Sequence, residues 1–258
     1  MNTLTIGILT LNEAKRIQAC VNSAQFANEI IVFDSGSRDD TVAIATQAGA
    51  KVYSNPDWQG FAEQRNRLLQ HASGDYIFFL DADEEISPAL AQEILAIVAQ
   101  GGNAIGKICW EQVAFGVPLT HMKSTGGVER LFKRSTIVSF EGVVHEGAVT
   151  EPANLSVHTL THKLKHYSRD SVHDSLLKLA QYAQLGALKR KNSGKKGGIV
   201  RGFFSGFASF IRLYFFGRGF LHGSAGFLFS LLVALECFFR YVELKYDFND
   251  LNKPSKRS

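Results

Sequence analysis

Cysteine is scarce in this chain. Cys20, Cys109 and Cys237 lie far apart and match no metal-ligand or redox spacing. That excludes a disulfide scaffold or a zinc module and points to reduced thiols in a cytosolic protein. The first residues, Met1-Asn2-Thr3-Leu4-Thr5-Ile6, lack a basic stretch leading into an apolar one. No secretory leader is therefore expected, and the catalytic part is expected in the cytoplasm. Low-complexity blocks are absent, and so is a clean apolar run of the roughly 20 residues that a spanning helix wants. The nearest, Gly219 to Leu235, carries no formal charge but includes His222, several glycines and two serines, and Glu236 and Arg240 follow it. Such a piece fits a membrane-surface or re-entrant anchor, a dimer or core helix, or a true span. Net charge is a modest +4 but uneven. Between Lys189 and Arg201 stand Lys189, Arg190, Lys191, Lys195, Lys196 and Arg201 with no acid among them. A block of this kind is a solvated face or meets an anionic partner, a lipid surface or a nucleic acid.

What is present is a regular alternation over the first hundred residues. With 258 residues and 45% hydrophobic content, the chain suits one large α/β domain or a domain plus an appendage. Leu4 to Thr10, Glu29 to Phe33, Lys51 to Tyr53 and Ile77 to Leu80 read as strands. Ala14 to Ala24, the segment running through Ala48, Phe61 to Ala72 and Pro88 to Ala99 read as helices, the last with Ser87 as N-cap and proline in its first turn. The order β-α-β-α-β-α-β-α predicts a doubly wound, mostly parallel sheet. The first strand leads into Thr10-Leu11-Asn12-Glu13, and two others end in Asp34 and Asp81. Three polar strand ends on one edge make a ligand crevice, because open α/β sheets bind ligands there.

The densest signal is Ile77-Phe78-Phe79-Leu80-Asp81-Ala82-Asp83-Glu84-Glu85. A buried strand runs into four carboxyls in five residues, which repel one another and call for a nearby positive charge, most simply a divalent metal. Such an acid pair has two physical uses. One holds a metal against a diphosphate while the other aspartate bonds a ribose hydroxyl. The other makes the first aspartate a nucleophile for phosphoryl transfer, as in haloacid-dehalogenase-type phosphatases. That use wants glycine and then threonine or valine where Glu84 and Glu85 stand, near the N-terminus, whereas three strand–helix units come first here.

Beyond Gly101 the pattern loosens. Ala104 to Val117 looks like strand and hairpin material. Arg130-Leu131-Phe132-Lys133-Arg134 reads as a strand whose Arg130, Lys133 and Arg134 either bind phosphate on donor or acceptor or form a basic exposed face. His158, His162 and His166 are spaced by four, but no helical stripe accompanies them, so they read as an acceptor rim or plain surface. A helix is expected from Ser171 to Lys189. Around Phe203, an amphipathic one sets Arg201, Ser205, Ser209 and Arg212 opposite Phe203, Phe207, Ile211 and Tyr214.

Thr10-Leu11-Asn12-Glu13, Asp34-Ser35-Gly36-Ser37-Arg38-Asp39-Asp40-Thr41, Gln64-Arg65-Asn66 and Phe79-Leu80-Asp81-Ala82-Asp83-Glu84, in this order and spacing, resemble the family-2 inverting glycosyltransferases of the GT-A fold. Arg130 to Arg134, Val144-His145-Glu146 and the aromatic, basic tail resemble a narrower group, the bacterial lipopolysaccharide inner-core glucosyltransferases that extend a heptose. The resemblance implies a GT-A domain over residues 1–168 and a helical acceptor or membrane-association region over 169–258. Thr10, Leu11, Asn12 and Glu13 would lie against the nucleotide and Asp34 would hydrogen-bond uracil. Arg65 and Asn66 would approach the nucleotide or diphosphate, Asp81 with Ala82 would contact ribose, and Asp83 would hold Mg²⁺ or Mn²⁺. The base of an inverting transfer would be Glu146, with His145 orienting it and Glu129 as the fallback. The usual Glu-Asp base motif is missing. The expected partners are a UDP-sugar, UDP-glucose in the first instance, a lipid-linked saccharide and a membrane surface, with no nucleic acid. The expected place is the cytoplasmic face of the inner membrane. A polyprenyl-phosphate or protein acceptor, or a non-catalytic membrane scaffold, are the other readings.

Overall fold

In the computed structural model, residues 1–123, 126–142, 147–249 and 251 are described. They fall into two compact units, residues 1–110 with 125–166, and residues 111–124 with 167–258.

In the first unit, β1 (Leu4–Thr10), α1 (Ile17–Ser23), β2 (Glu29–Asp34), α2 (Thr41–Gln47), β3 (Lys51–Ser54), α3 (Phe61–His71) and β4 (Tyr76–Asp81) alternate as the apolar pattern predicts. Then come β5 (Glu84–Glu85), α4 (Pro88–Gln100) and β6 (Ile105–Ala114), which leaves this unit at Trp110, and β7 (Val117–Pro118) in the second unit. The chain returns as β8 (Gly127–Lys133), β9 (Ile137–Glu141), β10 (Gly147–Thr150), β11 (Val157–Thr159) and β12 (Leu164–Arg169). Strands β3, β2, β1 and β4 are parallel neighbours, while β8 is antiparallel to β4 and β6 to β8. The sheet is thus parallel where the nucleotide-binding motifs were read and mixed beyond them.

Both faces of β1, β2 and β4 are covered, so these strands are buried along nearly their whole length rather than on alternate residues, while the edge strand β3 is partly exposed. Ile6, Ile8, Phe78 and Leu80 pack with Ile17, Val21, Leu90 and Ile94 on one face. Ile31, Phe33, Ile77 and Phe79 pack with Leu68 on the other. Helix α1 is shorter than its apolar marks suggest: the carbonyl of Glu13 accepts from both Arg16 and Ile17, and the N–H of Ala14 is held by Asp39. Ser87 caps α4 as expected, its hydroxyl accepting from the N–H of Leu90 at 3.2 Å.

The second unit is built on α5 (Val172–Asn192), α6 (Ile199–Ile211) and α7 (Gly223–Tyr246), with a π turn over Arg212–Phe216 between the last two. Ser171 caps α5 through Asp174. Helix α7 continues well past Leu235, where the uncharged run ends, because Glu236 and Arg240 pair with each other at 2.5 Å one turn apart and Glu236 also meets the buried Arg169 at 3.8 Å. Gly202 and Gly206 let α6 approach α7 closely. A Cβ at either would stand 2.7 Å or 2.8 Å from the carbonyl oxygens of Phe238 and Ala234. Leu119 and Met122 pack with Leu213 and Ala225. Helix α6 with the turn after it is therefore three-sided: Gly202, Gly206 and, in the π turn, Leu213 are buried, Phe203, Phe204 and Phe207 are exposed, and Arg201 and, in the π turn, Arg212 are exposed as well. Ser209, expected on the polar side, turns toward α7 and donates to Cys237 Sγ. By length and composition, 199–216 and 219–246 are each apolar enough to cross a membrane.

Candidate active site

Thr10 and Asp34 lie side by side in register at the C-terminal ends of β1 and β2, and Leu9 lies beside Asp81. The chain leaves β1 for one face of the sheet and reaches β4 from the other, so the crevice opens at the switch between these strands. The two loops that follow β1 and β2 are stitched together. Asn12, at φ 54°, donates its N–H to Ser37 Oγ and accepts from the Arg38 N–H, both at 2.8 Å. The N–H of Glu13 donates to Thr41 Oγ1. Asp34 is buried, and its carboxylate accepts from the N–H groups of Gly36 and Ser37 and from the Ser37 hydroxyl. Its first task is to shape the loop, and a uracil contact would use remaining lone pairs. Thr10 Oγ1 is buried with no hydrogen-bond partner, while Leu11 beside it is half-buried.

The carboxylates at the end of β4 have a cation among them. Arg130 is 2% exposed, and its Nη2 lies 2.5 Å from Asp81 Oδ2 and 2.8 Å from Glu84 Oε1. Its position comes from a bulge: Gly106 pairs with Leu131 but Lys107 with Glu129, which leaves Arg130 as the extra residue of β8. A bulge re-aims the side chain of the residue it inserts. Glu84, fully buried, also accepts from the Trp110 indole at 2.6 Å and from the Asp81 N–H at 2.9 Å. Arg65 lies 3.6 Å from Asp81 Oδ1, above the Phe79 ring. Burial penalises the charge on Asp81, but Arg130 and Arg65 outweigh it and hold this carboxyl well below the usual range. Burial pushes Glu84 up, and the negative charge of Asp81 adds to the push.

Asp83 has a different neighbour. The antiparallel pairing of β5 with β12 sets His166 opposite Glu84, and His166 Nε2 comes within 3.4 Å of Asp83 Oδ2. Burial acts against the imidazolium, yet Asp83, Glu84 and Asp81 raise the affinity of His166 for a proton overall. Its Nδ1 is buried without a hydrogen-bond partner. This histidine was expected in an acceptor rim or on plain surface, but it stands beside the acids of β4. The three histidines part company instead: His158 is exposed in β11 and His162 pairs with Glu93 at 2.8 Å. Their spacing by four carries no common face, because His158 and His166 lie in strands. Neither the sequence nor the burial of β12 alternates, so no local signal placed His166 on a strand; its pairing with β5 did.

Several expected contacts are corrected. The Asn66 amide is engaged by the protein itself: it accepts from the Phe140 N–H at 2.7 Å and donates to the Phe140 carbonyl at 3.1 Å, tying β9 to α3. Arg130 is an internal counter-ion of the acids, not an exposed phosphate binder. Lys133 and Arg134 lie at the wrong end of the sheet. Because β8 runs antiparallel to β4, Lys133 pairs with Tyr76, and Arg134 donates to the Gly74 carbonyl. At roughly 3.3 Å per residue that is about 16 Å from Asp81. Ala82 contributes backbone, its N–H bonding to the Leu9 carbonyl. Glu129 lies in β8 opposite Lys107. Glu146 and His145 lie outside the described residues.

A model for glycosyl transferase family 2 matches residues 5–141, a stretch that carries the crevice, its two stitched loops and the acids of β4. The chain belongs to this family. An uncharacterized glycosyltransferase of Rickettsia felis is 30% identical over 95% of this chain and 90% of its own length. The lipopolysaccharide core biosynthesis glycosyltransferase LpsC of Rhizobium meliloti is 26% identical over 92% of this chain and 93% of its own length. Among solved structures, glucosyl-3-phosphoglycerate synthase of Mycobacterium tuberculosis in complex with Mg²⁺ and uridine diphosphate is 22% identical. It has a TM-score of 0.48 and covers 68% of this chain and 74% of that one. This family-2 glycosyltransferase thus matches its sequence relatives through both of its units.

A divalent ion fits the residues at hand. Two protein ligands of one small octahedral ion, each at about 2.1 Å and at right angles, lie about 3 Å apart. Asp83 Oδ2 and His166 Nε2, 3.4 Å apart as a charge pair, could take that spacing only if the ion replaced the proton between them. Among the described residues no group of three or more candidate ligands gathers.

Proposed function

We propose that this glycosyltransferase transfers glucose from UDP-glucose, with inversion, to a lipid-linked saccharide such as the heptose of the lipopolysaccharide inner core. It would work at the cytoplasmic face of the inner membrane. The reading rests on one observation above all: in a family-2 chain, Asp81 and Asp83 stand at the C-terminal rim of β4, beside the β1 switch point. The full-length likeness to LpsC, second unit included, supports the lipopolysaccharide acceptor.

The division of labour follows from the environments. Arg130 and Arg65 keep Asp81 ionised and oriented, ready to accept from a ribose hydroxyl. Thr10, Asn12 and Glu13 line the nucleotide with the Asp34 loop beneath the base. Asp83 and His166 would hold Mg²⁺ or Mn²⁺. Such an ion, when bound, supplies charge neutralisation for the departing diphosphate. Glu146 would take the proton of the acceptor hydroxyl, with His145 beside it.

Asp83→Ala tests the proposal. UDP with Mn²⁺ should raise the melting temperature of the parent protein and not of the variant, and transfer to heptose-bearing lipid should fall by about 100-fold or more. Transfer at the parent rate in Asp83→Ala would sink the metal-assisted reading.

A further inference from the structure

Helix α6 leaves a face uncovered, and charge says what covers it. From Ser175 to Leu235 the chain has nine lysines and arginines and no aspartate or glutamate. In the same span Val200, Phe203, Phe204, Phe207, Phe215 and Phe216 are each 50% exposed or more. At about 100° per residue Val200, Phe203, Phe204 and Phe207 form a broad apolar sector of α6, and Phe215 and Phe216 follow in the π turn. It is bounded on one side by the glycines packed on α7 and on the other by the exposed Arg201 and Arg212. Aromatic bulk next to a cationic edge is complementary to the hydrocarbon–phosphate boundary of an anionic bilayer.

The positions of the two arginines decide the orientation. They lie on one line of the helix, eleven residues or about 16 Å apart. Upright in a bilayer with a core of about 30 Å, a helix with one arginine at the headgroups would carry the other to the midplane. Lying flat, it keeps both at phosphate depth while the phenylalanines enter the acyl chains. The lysines preceding α6, Lys195 and Lys196, are exposed and extend the cationic edge.

We propose that α6 lies in the plane of one leaflet and binds anionic phospholipid, with Arg201 and Arg212 on headgroup phosphates and Phe203, Phe204 and Phe207 in the hydrocarbon. The proposal rests on the membrane-facing reading of this region and adds its orientation and lipid class.

The full-length protein is floated with vesicles of phosphatidylcholine alone and of phosphatidylcholine with about 30% phosphatidylglycerol. Binding is expected about tenfold tighter on the second, and weakened by roughly 0.5 M salt. Phe204→Glu with Phe207→Glu should abolish binding at unchanged circular dichroism. If that pair unfolds, Arg201→Gln with Arg212→Gln should keep the fold and lose the preference for phosphatidylglycerol. Cysteines placed at Lys196 and Ser224, on either side of α6, should both react with an impermeant maleimide added outside the vesicles. Equal binding to both vesicles overturns the lipid class, and protection of the Ser224 site alone overturns the orientation. No vesicle binding, with a dimer that Phe204→Glu and Phe207→Glu dissolve, gives the face to a second copy and overturns the whole. UDP binding in vesicle-free solution is measured in parallel, so a failure here is distinct from a failure of the transferase reading.

Discussion

Asn66 and Arg130 show how a motif residue can serve the site without touching substrate. The Asn66 amide spends donor and acceptor on the backbone of the buried Phe140, whose ring packs edge-on against Phe79 at 4.9 Å. Asn66→Ala leaves two backbone groups without those partners and is expected to cost about 2 kcal/mol in urea unfolding. A variant of unchanged stability would mean that water replaces the amide freely. Arg130 answers the crowding of acids from within, held by Asp81 and Glu84 together, and Trp110 holds Glu84 in turn. A positive charge among those acids was called for by their number; that Arg130 of β8 would supply it was not visible locally.

At the scale of elements, the two ends of the parallel sheet are fastened by different chemistry. The C-terminal rim is tied by loop-to-loop bonds that shape the crevice. The other end is tied by Glu29, which accepts from Thr5 Oγ1 at 2.7 Å, Ser73 N–H at 2.9 Å and Lys51 Nζ at 2.8 Å, joining β1, β2, β3 and the end of α3. Burial alone would raise this carboxyl, but the bonds from Lys51, Ser73 and Thr5 prevail and lower it from 4.5 to about 2. A carboxyl depressed in the folded state stabilises it above the unfolded pKa, and that contribution is lost as pH falls through the folded one. The parent protein should therefore lose up to about 3 kcal/mol between roughly pH 5 and pH 2 that Glu29→Gln does not lose. Parallel pH dependences of urea unfolding for the two would refute the assignment.

At the scale of the whole chain, the second unit is packed within itself from segments far apart in sequence. Helix α5 rests on α7 through Ala187 and Leu244, Gly186 faces Arg240, and Leu119 and Met122 rest on Leu213 and Ala225. Deleting 198–258 removes α6 and α7 and strips those residues of their partners. The truncated chain is expected to lose the α5 helical signal and to aggregate, by circular dichroism and light scattering, rather than to yield a soluble catalytic piece. A monomeric truncation with α5 intact would count against this account. Point changes on the exposed face of α6 are the cleaner way to separate membrane contact from folding.

The parallel half of the sheet, its covering helices, the Ser87 cap and the acids at the strand ends were all legible in the sequence. Each depends on neighbours a few residues away: apolar runs, periodicity and capping spacing act locally. The polar company of the acids depends on register between segments far apart in the chain. A bulge in β8 turned Arg130 inward, the antiparallel course of β8 carried Lys133 and Arg134 to the opposite edge, and the pairing of β12 with β5 brought His166 to Asp83. Strand direction and register arise only when distant strands choose partners, and so the tertiary structure alone decided which charges meet.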